Sequence, residues 1–250
     1  MMNDKVRKMV ARVATHRSVG LLISIIKNNR IGHYNCLYDT HFKEVIDPVK
    51  ASIFWGLYEK DEAFFVEKHL SGSYPVLELG GSLGIISCVI GKKLLGRKLL
   101  VVEANRSLLP VIERNLSLNN IQNAFIVCGG IGEGKHLYFI EGNRSYNGEI
   151  LTQYRPHSIE VENVDVDSLL SAHGVGPFSL VSDIEGAENC LLFDSPSSLI
   201  KCQEMIIELH QSYHKGRLLT VSDQKFQIRN LGFDIIDSRG NVIYARRIQD

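Results

Sequence analysis

The sequence has no apolar run approaching the ~20 residues that a membrane span needs. It also lacks a C-x-x-C pair and a surplus of either charge. Lys+Arg and Asp+Glu both number 28, so no global basic field advertises nucleic acid, and no nucleic-acid partner is expected. The five cysteines, Cys36, Cys88, Cys128, Cys190 and Cys202, are odd in number and widely spaced. That argues against a disulfide framework and against a zinc finger or ribbon, and it fits a reducing compartment. Repeats and low-complexity tracts are missing too. The longest apolar stretch near the start, Val19 to Ile26, is followed by Asn28-Asn29-Arg30 rather than by a small-x-small cleavage site. A cytoplasmic protein is expected.

What is present is a 250-residue chain, 44% hydrophobic and 22% charged, long enough to bury a large α/β core. Its charge is uneven. Residues 1–30 hold seven cations (Lys5, Arg7, Lys8, Arg12, Arg17, Lys27, Arg30) against Asp4 alone. Val6, Met9, Val10, Val13 and Ala14 recur among them at helical spacing, which predicts an amphipathic helix over 4–16. Such a helix would either lie on an anionic membrane surface, at the inner face, or pack on the domain or on another subunit. Further helices are expected over 19–27 and 52–70, with Ser71-Gly72-Ser73 as a linker. Residues 1–70 therefore read as a helical extension or cap, and 71–250 as the main domain.

From Pro75 short apolar runs alternate with helical segments. Strands are expected at 76–79, 98–104, 123–128, 178–184, 204–210, 233–237 and 241–247, with helices at 83–95, 108–118 and 222–231 and a helical stretch between the fourth and fifth strands. Residues 136–140 and 158–164 look like strands of an insertion, and 166–173 like a short helix. The pattern predicts an α/β, Rossmann-like fold with a mostly parallel seven-stranded sheet and ligands at the carboxyl ends of its strands. The last two strands lie too close for a helical crossover and should form an antiparallel edge hairpin.

The sharpest local signal is VLELGGSLGIIS, residues 76–87, which reads as strand, glycine turn and helix. Gly80, Gly81, Ser82 and Gly84 would let a ligand lie against backbone N–H groups at the helix start. The G-x-G-x-x-G fingerprint of dinucleotide binding is absent. Glu78, two residues before the first glycine, suits a cationic ligand better than a pyrophosphate, and S-adenosylmethionine carries an ammonium and a sulfonium. Glu103 ends the second strand, where a carboxylate accepts hydrogen bonds from both ribose hydroxyls. Ala104 and Asn105 follow it, and Gly130 with Ile131 should edge the adenine.

At this point the sequence resembles the FkbM-type S-adenosylmethionine-dependent methyltransferases, from about Gly56 to Gly232. Gly56-Leu57-Tyr58-Glu59 is similar to the family's G-x-Y-E segment. ELGGSLG stands where the family has D-x-G-A-N-x-G, and EANRSL where it has E-P-N. Asn115 and Asn119 follow, and VDVDSLL is similar to L-D-x-L. Asp183-Ile184-Glu185-Gly186-Ala187-Glu188 resembles the K-x-D-x-E-G-A-E signature, and IIELH its strand-ending E-V/L-H. The departures are Val181 and Ser182, neither of them the family's lysine, Gly81-Ser82 for alanine-asparagine, and Ala104 for proline.

The resemblance implies a class I methyltransferase with S-adenosyl-L-methionine as cofactor and O-methylation of a sugar, in a polysaccharide or glycolipid, or of a natural-product hydroxyl. It places Glu78, Gly80, Gly81, Ser82, Gly84, Glu103, Ala104, Asn105, Gly130, Ile131 and Asp183 at the cofactor. Tyr58, Glu59 and Glu208 are expected at the acceptor, a small molecule or glycan. His210 is expected as the base, with an ordinary pKa near neutrality and oriented by Asp183, and Glu185 stands beside it. No resident metal is expected, although a carboxylate pair could hold a divalent cation. Two other classes stay open: a cofactor-binding or scaffolding subunit without catalysis, and an NAD-type oxidoreductase.

Other signals have plainer readings. CGGIGEGKH, residues 128–136, is nearly a phosphate loop, but His136 stands where Ser or Thr would hold magnesium. His210 and His214 need not share a face. Trp55, Phe54, Phe64 and Phe65 read as core, as do Cys88 and Cys128.

Overall fold

The computed structural model describes residues 4–142 and 148–248, with side chains from residue 9 onward. The side chains of Lys5, Val6, Arg7 and Lys8 thus lie outside the described residues. Two helices open the chain, α1 (Asp4–Ala14) and α2 (Arg17–Lys27), parted by His16, whose ring accepts the Ser18 N–H. A hairpin follows that the sequence pattern does not announce, β1 (Arg30–His33) and β2 (Cys36–Asp39). Its two-residue turn places Tyr34 and Asn35 at φ +50° and +55°, the conformation that hairpin twist requires. The single helix expected over 52–70 is instead two, α3 (Asp47–Phe54) and α4 (Lys60–His69). Gly56 ends the first at φ +62°, where a Cβ would stand 2.1 Å from the His33 ring.

The alternating region runs β3 (Val76–Leu79), α5 (Ile85–Lys93), β4 (Leu99–Glu103), α6 (Leu109–Leu118) and β5 (Ala124–Cys128). An insertion of β6 (His136–Glu141), β7 (Gly148–Leu151) and β8 (Ile159–Glu162) forms a separate antiparallel sheet before α7 (Val166–Ala172). Then come β9 (Phe178–Ser182), β10 (Cys202–Glu208), the small hairpin β11 (Ser212–His214) and β12 (Arg217–Leu219), α8 (Val221–Asn230), β13 (Phe233–Arg239) and β14 (Val242–Arg247). The helical stretch expected between β9 and β10 is only a π turn at Cys190–Asp194 and a 3-10 turn at Pro196–Leu199. Ser195-Pro196-Ser197-Ser198 denies it a regular backbone.

The main sheet has the order β13-β14-β10-β9-β3-β4-β5, and β14 alone runs antiparallel. This is the Rossmann-like sheet with an antiparallel edge that the alternation predicts. The chain winds outward from β3 to β5, then returns to place β9 against β3's other side. The carboxyl ends of β3 and β9 therefore form a topological switch point, where such sheets leave a crevice.

Period-2 alternation along the buried strands sorts their side chains between two cores. Val76, Val101, Val181 and Ile206 join α4, α5, α6 and the N-terminal elements. Leu77, Leu79, Leu100, Leu180 and Met205 join α7 and α8 on the other face. The N-terminal elements are stitched on by two buried asparagines of α6. Asn115 accepts the Asp39 N–H at 2.8 Å, while Asn119 accepts the Leu37 N–H at 2.9 Å and donates to the Leu37 carbonyl at 2.8 Å. Trp55 is not core: its ring is half exposed and its indole N–H donates to the Ala14 carbonyl. Phe65 is fully buried, while Phe64 is exposed beside it.

Candidate active site

The switch point opens into a cavity of about 240 Å³. One wall is the turn after β3. Gly80 reverses the chain at φ +89°, and a Cβ there would lie 2.0 Å from the Asp183 carbonyl oxygen. Only glycine lets this turn pass the end of β9. Gly80 and Ser82 line the cavity, whereas Gly81 and Gly84 lie beneath it against α6 and β4.

Glu103, at the end of β4, is buried and accepts the Ser82 N–H at 2.8 Å and the Asn105 N–H at 2.7 Å. Each oxygen keeps acceptor capacity toward the cavity. Ala104, Asn105, Gly130 and Ile131 continue this wall, and Phe139 and Ile150 from the insertion form an apolar flank. Gly129 to Ile131 therefore serve as cavity wall, and the near-phosphate-loop pattern leads into strand β6 rather than a helix.

Opposite stand Tyr58 and Glu59, from the break between α3 and α4. The Tyr58 hydroxyl lies 2.9 Å from Ser82 Oγ. Glu59 sits at φ +47°, and desolvation first, then Glu62 and Asp183, raises its carboxyl pKa well above the usual range.

Glu78 is not at the cavity. Its side chain points into the core on the α5 face of β3, fully buried, and neither carboxyl oxygen meets a hydrogen-bond partner among the described residues. Burial pushes it up to about 8, which the nearby Ser87 hydroxyl only partly offsets.

The third wall is the loop after β9, with Asp183 and Glu185 on the cavity. His210, two residues beyond β10, stands behind them rather than on the lining. Its Nε2 is 3.8 Å from Asp183, 3.6 Å from Glu185 and 3.9 Å from Glu208. Its Nδ1 is 3.1 Å from Glu188, a carboxylate with no exposed surface. Glu188 also accepts the Ile184 N–H at 3.0 Å and the Gly186 N–H at 2.8 Å. Glu188, not Asp183, therefore orients the ring.

Burial alone would lower the His210 pKa, but the hydrogen bond and charge of Glu188, aided by Asp183 and Glu185, raise it to about 9. His210 is thus an imidazolium at neutral pH, which corrects the expectation of an ordinary near-neutral base. Asp183 moves toward neutrality instead: burial and then Glu208 push it up to about 7. Its Oδ1 is buried without a hydrogen-bond partner among the described residues.

Glu62 and Glu188 also belong to this cluster; local sequence does not mark Glu62, and it shows Glu188 only as the end of the Asp183–Glu188 motif, with no role assigned. Glu62 lies on the buried face of α4, and burial with Glu208 raises its pKa. Glu188 could have been found as an acidic residue two positions after a turn glycine, placed to collect the turn's N–H groups.

Two sets could hold a divalent cation, Asp183 with Glu185 and His210, and Glu62 with Asp183 and Glu208, each presenting ligand atoms within 4.8 Å of one another. His214 belongs elsewhere, 3.0 Å from Asp194.

No protein-family model and no curated protein matches the chain. Among solved structures it is similar to a ribosomal protein L11 methylase from Lactobacillus delbrueckii subsp. bulgaricus, at 14% identity over 76% of this chain and 78% of that one, with a TM-score of 0.45. It is also similar to the N-terminal domain of EvdMO1 with SAH bound, at 12% identity over 93% and 97% of the two chains and a TM-score of 0.46. M. jannaschii TYW2 in complex with AdoMet gives 12% identity over 88% and 86%, with a TM-score of 0.44. Likeness at these levels carries nothing about ligand or reaction, and the fold assignment rests on the strand order itself.

Proposed function

We propose that the chain is an S-adenosylmethionine-dependent methyltransferase acting on an acceptor hydroxyl, of a sugar in a polysaccharide or glycolipid or of a natural product. The observation that carries this reading is the sign of the cavity. Its described lining holds four carboxyl groups, Glu59, Glu103, Asp183 and Glu185, and no Lys, Arg or His. A pyrophosphate would meet no cationic side chain on this described lining, only carboxyl groups in either protonation state, which disfavours a nicotinamide dinucleotide. A cation with a vicinal diol and no phosphate meets complementary groups.

When bound, S-adenosylmethionine supplies an electrophilic methyl on a sulfonium. The residues fit that group. Glu103 would accept the two ribose hydroxyls, the turn at Gly80 and Ser82 would lie beside them, and Phe139, Ile131 and Ile150 would bound the adenine side. Asp183 and Glu185 hold negative charge where the cationic part must lie. Tyr58 and Glu59 stand where an acceptor enters.

The acceptor must lose a proton as its oxygen attacks, and the chain must supply the base. Asp183 takes this role: it faces the cavity, and its pKa of about 7 matches proton removal near neutrality. His210 instead holds a positive charge behind the carboxylates, and that charge works against burial and Glu208 to favour the ionised form of Asp183.

The test is turnover. With S-adenosylmethionine and a panel of free and nucleotide-linked sugars, formation of S-adenosylhomocysteine in step with a methylated product is expected. Cofactor binding without turnover on any acceptor would favour the cofactor-binding, non-catalytic subunit. Binding of NAD in preference to S-adenosylmethionine would overturn the reading altogether.

A further inference from the structure

Helix α2 packs inward through Gly20, Ile23 and Ser24. Gly20 touches α3 so closely that a Cβ would lie 1.7 Å from the Asp47 carbonyl oxygen, which fixes the orientation of α2. The opposite face is therefore committed to the outside. It carries Leu21, Leu22, Ile25 and Ile26, each between 51% and 71% exposed. At 100° per residue these four span one side, with Ser18 as the only polar position among them. A surface helix of a water-soluble domain ordinarily turns charged and polar groups outward. Here the outward face is aliphatic.

Neighbouring elements repeat the pattern. Met9, Val10 and Val13 of α1 are exposed, as is the ring of Trp55, which ties α3 to the end of α1. Around this apolar surface cations predominate, with Asp47 of α3 lying 3.7 Å from Arg17. From Lys5 to Tyr38 the sequence has no Asp or Glu, while Lys5, Arg7, Lys8, Arg12, Arg17, Lys27 and Arg30 all fall within it. Neither helix can cross a membrane: each has 11 residues, and no described helix is long and apolar enough to span.

We propose that α1 and α2 form a docking face for an anionic lipid surface. The aliphatic residues of α2 and α1 enter the boundary between headgroups and acyl chains, and the flanking lysines and arginines meet lipid phosphates. The charge selects this occupant. A second copy meeting the same face would set its cations, the exposed Arg12 and Arg17 among them, against their own counterparts, with no acid between residues 5 and 38 of either chain. A nucleic acid would match the charge but would leave the aliphatic centre facing a polar groove. An anionic bilayer satisfies both. This inference is independent of the reaction proposed above, since it uses none of the cavity residues.

Sedimentation of the full chain with vesicles tests it. Binding to vesicles containing phosphatidylglycerol should exceed binding to phosphatidylcholine alone by about tenfold or more and should fall as salt rises. Leu22→Glu and Ile25→Glu point to solvent and should leave the melting temperature unchanged while abolishing binding. Arg12→Glu with Arg17→Glu keeps the apolar face and should remove the preference for anionic lipid. No binding to either vesicle would overturn the proposal, and so would equal binding to both. A dimer in solution that Leu22→Glu dissolves would also overturn it, in favour of a second copy.

Discussion

His210 shows how far a residue's chemistry depends on what the fold brings to it. A histidine at a strand end reads as a base. Ringed by Asp183, Glu185, Glu188 and Glu208, with Glu188 on Nδ1, it holds its proton up to about pH 9. Two outcomes follow for activity. Asp183→Asn should lower turnover by roughly 10²–10⁴-fold, the contribution of a positioned base. The wild-type rate should rise with pH through about 7 as Asp183 ionises. A pH–rate profile flat from 6 to 8, roughly a unit either side of that midpoint, with an active Asp183→Asn enzyme, would return the role to another group.

Stability carries the same signature. The His210 pKa in the fold, about 9, lies above its ordinary 6.5, so its stabilisation is complete below that lower value and is lost as pH rises to the upper one. The melting-temperature deficit of His210→Gln should accordingly be largest in mild acid and shrink on the alkaline side. Glu78 has a carboxyl raised from 4.5 to about 8 in the core. Because the unfolded chain ionises first, stability is lost progressively as pH rises from 4.5 to about 8, and the loss is complete above that. Glu78→Gln should therefore gain in melting temperature over wild type above about pH 8 and gain little near pH 5. An equal change at both pH values would show that the carboxyl does not titrate in the fold.

At the scale of elements, the sequence was most legible where strands are buried on both faces. The largely apolar runs expected as strands at 76–79, 98–104, 178–184 and 204–210 state their own identity, and the glycine turn fixes where α5 begins. The hairpin β1–β2 was not legible, because Tyr34-Asn35 is a turn without glycine. The break at Gly56 was hidden because the apolar spacing on its two sides is in phase. The glycine turn and Glu103 could be read as site residues because each sits at the end of one strand. The carboxylate cluster could not, since α4, the loop after β9 and the end of β10 contribute to it from three distant parts of the chain.

The asparagines that hold β2 give this scale its own prediction. Asn119→Ala removes both hydrogen bonds to Leu37 and leaves buried backbone groups unsatisfied, a loss of about 1–3 kcal/mol in unfolding free energy. Amide exchange across residues 36–39 should quicken in this variant. Unchanged exchange there would mean that β2 is held by the apolar contacts alone.

Across the whole molecule the charges are segregated. Cations outnumber the one acid, Asp4, in the N-terminal helices, and carboxyl groups without cations occupy the described lining of the cavity at the switch point. A cavity lined by carboxyl groups and free of described cations should take a cationic, phosphate-free nucleoside. Calorimetric titration of the full chain with S-adenosylmethionine and with NAD tests it most directly, alongside Glu103→Ala checked for an unchanged melting temperature. S-adenosylmethionine should bind and NAD should not. The variant should bind at least about tenfold more weakly, because hydrogen bonds to a charged group each contribute about 1.5–3 kcal/mol. NAD binding as tight as that of S-adenosylmethionine, or equal affinity in wild type and variant, would contradict the account.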